Sequence, residues 1–437
     1  MQNSSLHVLI VGAGTGGLAL AHGLKQAGIR VSVFERDRTP RDAQGGYRVG
    51  ISPAGSQALK ACIPSSLYDL FVATCARAPR YFNMLTEQFS ELVSLELTGE
   101  AADPVDGEKN VNRMTLRRVL LRGLEGIVAF DKTFRRYTQL RDGTVTVQFE
   151  DGTEATGDVL IGADGAGSRV RKQRLPHAHH ADTGMVSIGG KLPMTAQSKA
   201  LLSDKMFNGM SMIMAPKGVG AIIHALEFTW NGAGGDFMAR WPDFPDDGTD
   251  DYIGWGLWAS RAQFPLDTTT LTGVDLVRRA GEMTRRWHPN MQQLIRLTDP
   301  ATAAWINIRT SVPIPPWESS HVTLLGDAIH TMTPGRGAGA NTALRDAALL
   351  SKMLAKVHRG EKPPVDAICE YEREMLRYST EAVLKSRQQM NADDLLHKPV
   401  LGRVQLAVMR GGMRIVNASP MLKRRITESI LRTRGAN

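Results

Sequence analysis

Residues His7-Val8-Leu9-Ile10-Val11 form a near-continuous apolar run, the pattern of a strand buried on both faces. A glycine-rich stretch follows, and then helical periodicity from about Gly17 to Ala27, with Gly28 placed to stop the helix. Arg30 to Glu35 reads as the next strand, which completes a βαβ unit. Further on, Tyr81–Leu97 reads as a strand pair and Thr115–Leu124 as a helix. Val145–Glu150, Asp151-Gly152 and a second short strand give a hairpin signal, and Val159–Ile161 is a short buried strand. From about Thr183 to Ile308 the texture changes. Strand-like runs at Met185–Leu192, Met210–Ala215, Val219–Phe228 and Tyr252–Ala259 alternate with Gly and Pro turns, interrupted by one helix over about Val274–Trp287. Val322–Leu325 returns to the buried-strand pattern, a helix follows Asn341, and the remaining chain reads as helical without internal repeats.

Composition changes this picture little: 42% hydrophobic and 22% charged residues over 437 positions suit a globular protein with room for a bulky cofactor. Cys62, Cys75 and Cys369 show neither metal nor disulfide spacing, and Leu6–Leu24 lacks a basic leader, so a reducing, cytoplasmic setting is expected. Charge matters more. Residues 395–437 hold nine Lys or Arg against Glu428 alone, so nearly all of the net +9 sits there. This basic tail reads as a solvated helical face or as weak contact with an anionic membrane surface. No aromatic residue lies in it to stack a base, which argues against nucleic acid.

Three motifs carry candidate chemistry. Gly12, Gly14 and Gly17 fit GxGxxG between a buried strand and a helix: the first permits the turn, the second lets a pyrophosphate approach, and the third lets helix and strand pack. Glu35, 23 residues after Gly12 at a strand end, suits ribose hydroxyls and disfavours a 2′-phosphate. Asp164-Gly165 follows the strand at Val159–Ile161. Gly326-Asp327 follows Val322–Leu325 and leads into Pro334-Gly335-Arg336-Gly337-Ala338-Gly339-Ala340-Asn341. An ionised Asp only accepts hydrogen bonds, which suits a polyol chain, and backbone N–H groups at a helix start stabilise negative charge.

In this order the motifs resemble those of the class A flavoprotein monooxygenases, the family of para-hydroxybenzoate hydroxylase and the tetracycline-inactivating hydroxylases. The resemblance covers most of the chain. It implies an α/β fold: a Rossmann-type FAD-binding domain (1–75, 101–182 and 311–394), an inserted mixed-sheet substrate domain (76–100 and 183–310), and a basic C-terminal helical tail (395–437). It implies FAD held by Gly12, Gly14, Gly17, Glu35, Arg36, Gly46, Arg48, Arg113, Arg117, Asp164, Gly165, Asp327, Pro334, Gly337, Gly339, Ala340 and Asn341, with Arg117 favoured over Arg113. Asp164-Gly165 would also serve the nicotinamide. Relatives place Gln where Ala338 stands, so a role for that side chain is missing here.

The activity implied is hydroxylation of an aromatic or polyketide-like small molecule by O2. NADPH or NADH, docking transiently, would reduce the flavin, and oxygen would transfer through a C4a-hydroperoxide, as in natural-product tailoring or antibiotic modification. The flavin carries the chemistry, so no catalytic side chain and no metal is required. Met210, Met212 and Met214 alternate on one strand face, either as core or as the floor of a substrate pocket, with His224 and Trp258 as further candidates. His330 reads as structural, and His177, His179 and His180 as an exposed loop cluster. Epoxidation and Baeyer–Villiger oxidation stay open. So do a flavin-dependent halogenase, although its Trp-x-Trp-x-Ile-Pro pattern is not matched at Trp255–Trp258 or Trp305–Ile308, and an isoprenoid reductase.

Overall fold

Val8, Leu9 and Ile10 admit no solvent because the strand His7–Val11 is paired on both sides, in parallel, with Arg30–Phe34 and Val159–Gly162. The outer positions are taken by Val128–Ala129 beside Arg30–Phe34 and by Val322–Leu324 beside Val159–Gly162, giving a five-stranded sheet. The computed structural model describes residues 6–40, 47–97, 107–228, 230, 236–244, 250–392, 394–398 and 400–435. The chain divides into two compact units. The first comprises Met1–Thr74, Asp103–Ala181 and Arg309–Gln389; the second comprises Cys75–Ala102, Asp182–Ile308 and Met390–Asn437.

In the first unit the helix Thr15–Gln26 packs against the long helix Gly339–His358, which also meets Pro53–Cys62 and Pro364–Gln389. The expected helix near Gly17 starts two residues earlier, at Thr15. Pro53–Cys62 and Ser65–Ala73 escaped the periodicity reading. The first of these has a proline at its start and Ser52 as cap, accepting the Gly55 N–H at 3.2 Å. The expected hairpin forms as Val145–Phe149 with Glu154–Gly157, but a third strand, Phe134–Gln139, joins it. That strand (Phe-Arg-Arg-Tyr-Thr-Gln) is too polar to show an apolar run.

The second unit is built on seven strands in the order Ala304–Ser311, His180–Pro193, Tyr252–Ser260, Gly220–Leu226, Gly209–Met214, Tyr81–Thr86, Glu91–Glu96. One face is fully buried: Ile188, Ile213, Ala221, Ile223 and Leu257 pack against Leu276, Met291 and Leu294. Those last three come from two helices, Gly273–Met283 and Pro289–Arg296, where the periodicity suggested one running to Trp287. His288 ends that reading by capping the second helix, its Nδ1 accepting the Asn290 N–H at 3.1 Å.

The basic tail is not a separate segment, because its helices Leu401–Ala418 and Pro420–Gly435 belong to the second unit. Asn417 Nδ2 donates to Glu91 Oε1 at 2.9 Å, its Oδ1 accepts from the Ser94 N–H at 3.3 Å, and Arg410 bonds Glu87 and the Met214 carbonyl. Among the described residues no helix is long and apolar enough to cross a membrane.

Candidate functional site

The turn after the first strand is fixed by Gly12, which adopts φ +111° and donates its N–H to Phe34 O at 2.8 Å. A Cβ there would overlap the Ala163 carbonyl and come within 2.9 Å of Asp164 Cα, so the loop at Asp164 lies directly over it. A Cβ at Gly17 would overlap the Gly12 carbonyl, so helix and turn touch through bare backbone. Gly14 differs: a Cβ on it would meet nothing within 4 Å. Gly14 caps the helix without a side-chain bond, and the first turn holds no acid, so no side chain of the turn offsets the positive end of the helix.

Glu35 is buried beside this turn. Its Oε2 accepts the Ala13 N–H at 2.7 Å and its Oε1 the Asp37 N–H at 3.1 Å. Arg117, also buried, ties the cluster together: Nε donates to Ala13 O at 3.2 Å and Nη1 to Asp37 Oδ2 at 2.7 Å. Its Nη2 has no hydrogen-bond partner and stands 3.5 Å from Glu35. A buried guanidinium nitrogen with bonding capacity left, next to an open helix N-terminus, fits a phosphate-bearing dinucleotide. Arg113, one turn earlier, is placed differently, exposed and over the Tyr47 ring at 5.3 Å. Arg36 is exposed, and Arg48 lies half-buried on a strand, Arg48–Ile51, paired with Lys109–Asn112. Gly46 lies outside the described residues.

Asp164 spends both oxygens on its own loop, accepting from Ser168 Oγ at 2.5 Å and from the Arg169 N–H at 2.7 Å. It therefore shapes the turn that covers Gly12, and Gly165 (φ +75°) continues that turn into open space. Arg171, buried and not singled out by sequence, links this loop to the next motif by donating to Ala328 O at 2.8 Å.

Asp327 begins the short helix Asp327–His330. Solvent reaches its side chain, yet the surrounding protein is dense enough to push its carboxyl pKa up, against the pull of His330 and Arg113. A Cβ on Gly339 would stand 3.8 Å from Asp327 Oδ1, so the carboxylate lies at the start of the helix Gly339–His358. That helix too lacks a side-chain cap and an acid in its first turn. Pro334 opens the one-turn helix before it, which Gly337 ends at φ +61°; Ala340 is half-buried in its first turn. Asn341 is a staple: Oδ1 accepts the Ser52 N–H at 2.9 Å, and Nδ2 donates to Gly50 O at 3.0 Å and Gly337 O at 2.9 Å. Asn341→Ala should destabilise the protein by about 2 kcal/mol through these lost bonds. Urea titration would measure it, and a change under about 0.5 kcal/mol would mean that water replaces them.

Behind Asp327 lies a buried polar knot that the sequence did not reveal. Asp346 Oδ2 accepts the Gly326 N–H at 2.9 Å and bonds His330 Nε2 at 2.6 Å; Oδ1 accepts from Tyr378 at 2.5 Å. Burial opposes charge on His330, but the Asp346 carboxylate and its hydrogen bond, with Asp327 beyond, outweigh it and raise the pKa. The signal for Asp346 was available: it is a carboxylate at a position that continues the buried stripe Ala347, Leu350, Leu354.

In the second unit the five substrate candidates share one sheet face. Met210 pairs with His224, Met212 with Ile222, and Met214 with Gly220, which pairs in turn with Trp258. Phe82 and Met84 extend the row through their pairing with Met210 and Met212. This face is opposite the helix-packed core, and Met212, Met214, His224 and Trp258 are only half-buried. Glycines make room for the rings: a Cβ on Gly254 would sit 2.5 Å from His224 Nε2, and one on Gly220 2.6 Å from Trp258 Nε1.

Residues 276–386 match the family model of an FAD binding domain, and residues 10–50 match that of an NAD(P)-binding Rossmann-like domain. The chain is 35% identical over 400 residues to a dual O-methyltransferase/FAD-dependent monooxygenase, CTB3, of Cercospora beticola; this covers 84% of this chain and 44% of that protein. The chain thus spans under half the length of the curated relatives it first matches. It is 30% identical to an FAD-dependent urate hydroxylase of Klebsiella pneumoniae, over 88% of this chain and 89% of the relative. A structure described as an FAD-containing monooxygenase of Photorhabdus luminescens aligns with TM-score 0.75 and 31% identity, covering 89% of this chain and 98% of that one.

Proposed function

The chain belongs to the FAD-dependent monooxygenases, and from that premise we propose that it hydroxylates an aromatic or polyketide-like small molecule with O2 and NADPH or NADH. The observation that carries the substrate class is the sheet face shared by Met210, Met212, Met214, His224 and Trp258, half-buried at all but Met210. Such a surface takes up a flat apolar ring, and methionine adapts to irregular ligand shapes. His224, the only ionisable group of the five, is the candidate to orient a phenolic hydroxyl.

Bound FAD supplies the chemistry: electrons from the nicotinamide activate O2, one oxygen atom entering the substrate and the other leaving as water. The chain's residues bind and position it. The N–H groups after Gly14 receive the pyrophosphate, Glu35 accepts from ribose hydroxyls, and Arg117 holds Glu35 and the turn in register. Asp327, at the start of the helix Gly339–His358, offers its carboxyl oxygens to ribityl hydroxyls. The uncapped start of Gly339–His358 favours negative charge on a reduced ring, and Asn341 fixes that turn.

Anaerobic flavin bleaching by NADH or NADPH, with and without phenols, indoles and polycyclic polyketides, tests the reaction, followed by incorporation of labelled O2 into product. One class that accelerates bleaching and acquires label is the expected result. A flavin that neither nicotinamide bleaches under any condition would favour a halogenase fed by a separate reductase. Asp327→Ala should lower flavin affinity roughly tenfold or more, as a charge-assisted contact is removed; purified variant at full flavin occupancy would refute the assignment.

A further inference from the structure

The helix Leu401–Ala418 leaves one apolar face uncovered. At about 100° per residue, Leu401, Val404, Val408 and Ile415 fall on one stripe. They are 59%, 58%, 69% and 66% exposed. Gly402, Leu406 and Asn417 lie on the opposite side: the first two are buried, and the third holds Glu91 and the Ser94 N–H. One face therefore anchors the helix to the second unit while the other presents aliphatic side chains to solvent. Val400, just before the helix, and Met421, just after it, are 73% and 67% exposed. An exposed aliphatic row of this kind marks an interaction surface.

Charge identifies the partner. The helix carries three arginines and no acid. Arg410 turns inward to Glu87, whereas Arg403 and Arg414, eleven residues apart and so on the same side, stand exposed on the flank of the helix, about a quarter-turn from the stripe. Neither has a carboxylate partner among the described residues. Lys423, Arg424 and Arg425 follow in the next helix, where Arg424 pairs with Glu428 and Arg425 is exposed.

We propose that this face docks on an anionic lipid bilayer, with the helix lying in the interfacial plane. A second copy of the chain would bring arginines against arginines, with no acid on the helix to answer them, whereas acidic headgroups complement them. The aliphatic stripe enters the boundary between headgroups and acyl chains, and the arginines remain at headgroup level. The attachment is peripheral. It is independent of what the flavin site oxidises.

Vesicle flotation tests it, using the full flavin-loaded chain with vesicles of phosphatidylcholine alone or containing phosphatidylglycerol. Flotation with the anionic vesicles only, reversed by salt, is expected. Val404→Asp with Val408→Asp, and separately Arg403→Glu with Arg414→Glu, should each weaken binding roughly tenfold or more. All four positions are exposed, so flavin content and melting temperature should not change. Absence from the anionic vesicle fraction overturns the proposal, as does undiminished binding by both variants. A dimer in light scattering that Val408→Asp disperses would instead make the face a contact between copies.

Discussion

Asp346→Ala should destabilise the first unit by about 3–5 kcal/mol, because it removes the single acceptor shared by three buried donors. The Gly326 N–H, the His330 ring and the Tyr378 hydroxyl would all lose their partner in a region closed to water. The loss should reach the flavin site as well, since Gly326 holds the strained turn (φ +64°) that presents Asp327. Chemical denaturation and flavin titration of the same variant would measure both, and Asp346→Asn, which keeps two acceptor lone pairs but no charge, should lose less. Wild-type affinity for flavin in Asp346→Ala would mean that the turn holds without the knot.

The same knot fixes a pH dependence. His330 has a raised pKa in the folded state, so the stability it contributes is complete below the ordinary histidine value of 6.5 and is lost as pH rises through the raised value. The unfolding midpoint should therefore fall on the alkaline side of 6.5. His330→Asn should flatten that limb. Tyr378 stays neutral throughout, since burial and then Asp346 push its pKa far up.

Gly12→Ala is expected to abolish flavin retention and cost at least about 2–3 kcal/mol. Two independent effects add. The backbone adopts φ +111°, which L side chains avoid, and the new methyl would overlap the Ala163 carbonyl, part of a backbone segment held by the Ala163 N–H to Val11 O bond at 2.8 Å. The strain can relax only by lifting the Asp164 loop from the turn. Gly14→Ala is the matched control: it has room in every direction, so folding should survive while flavin affinity drops. Equal melting temperatures for wild type and Gly12→Ala would refute the steric argument.

The sequence showed what depends on local spacing. Strand, glycine turn and helix at residues 7–26 are contiguous, and their periodicity carries the nucleotide-binding architecture directly. The methionines at 210, 212 and 214 sit on one face because a strand repeats every two residues. That His224 and Trp258 share the face depends on register across three strands, which no local pattern encodes. Arg117 was visible as a candidate, but its commitment to Asp37 and Ala13 bridges 80 and 104 residues. Asn341 was recognised by its motif, while its work, tying together Ser52 and Gly50, spans 289 and 291. Asp164 shows the opposite limit: the motif was plain, yet both its oxygens serve the adjacent turn.

The parallel sheet of the first unit draws on three stretches of chain, and its edge strand Val322–Leu324 meets Leu160–Gly162 about 160 residues after that partner. A ribosome must therefore deliver the second unit's strands before the first unit can close. Loop closure over such a distance is entropically slow, and incomplete sheets expose pairing edges. The strand His7–Val11 and its glycine turn emerge early but await Asp327 and the helix Gly339–His358. Cofactor capture is then expected only after the last strand of the sheet and the helix Gly339–His358 have been delivered, late in the chain's biogenesis.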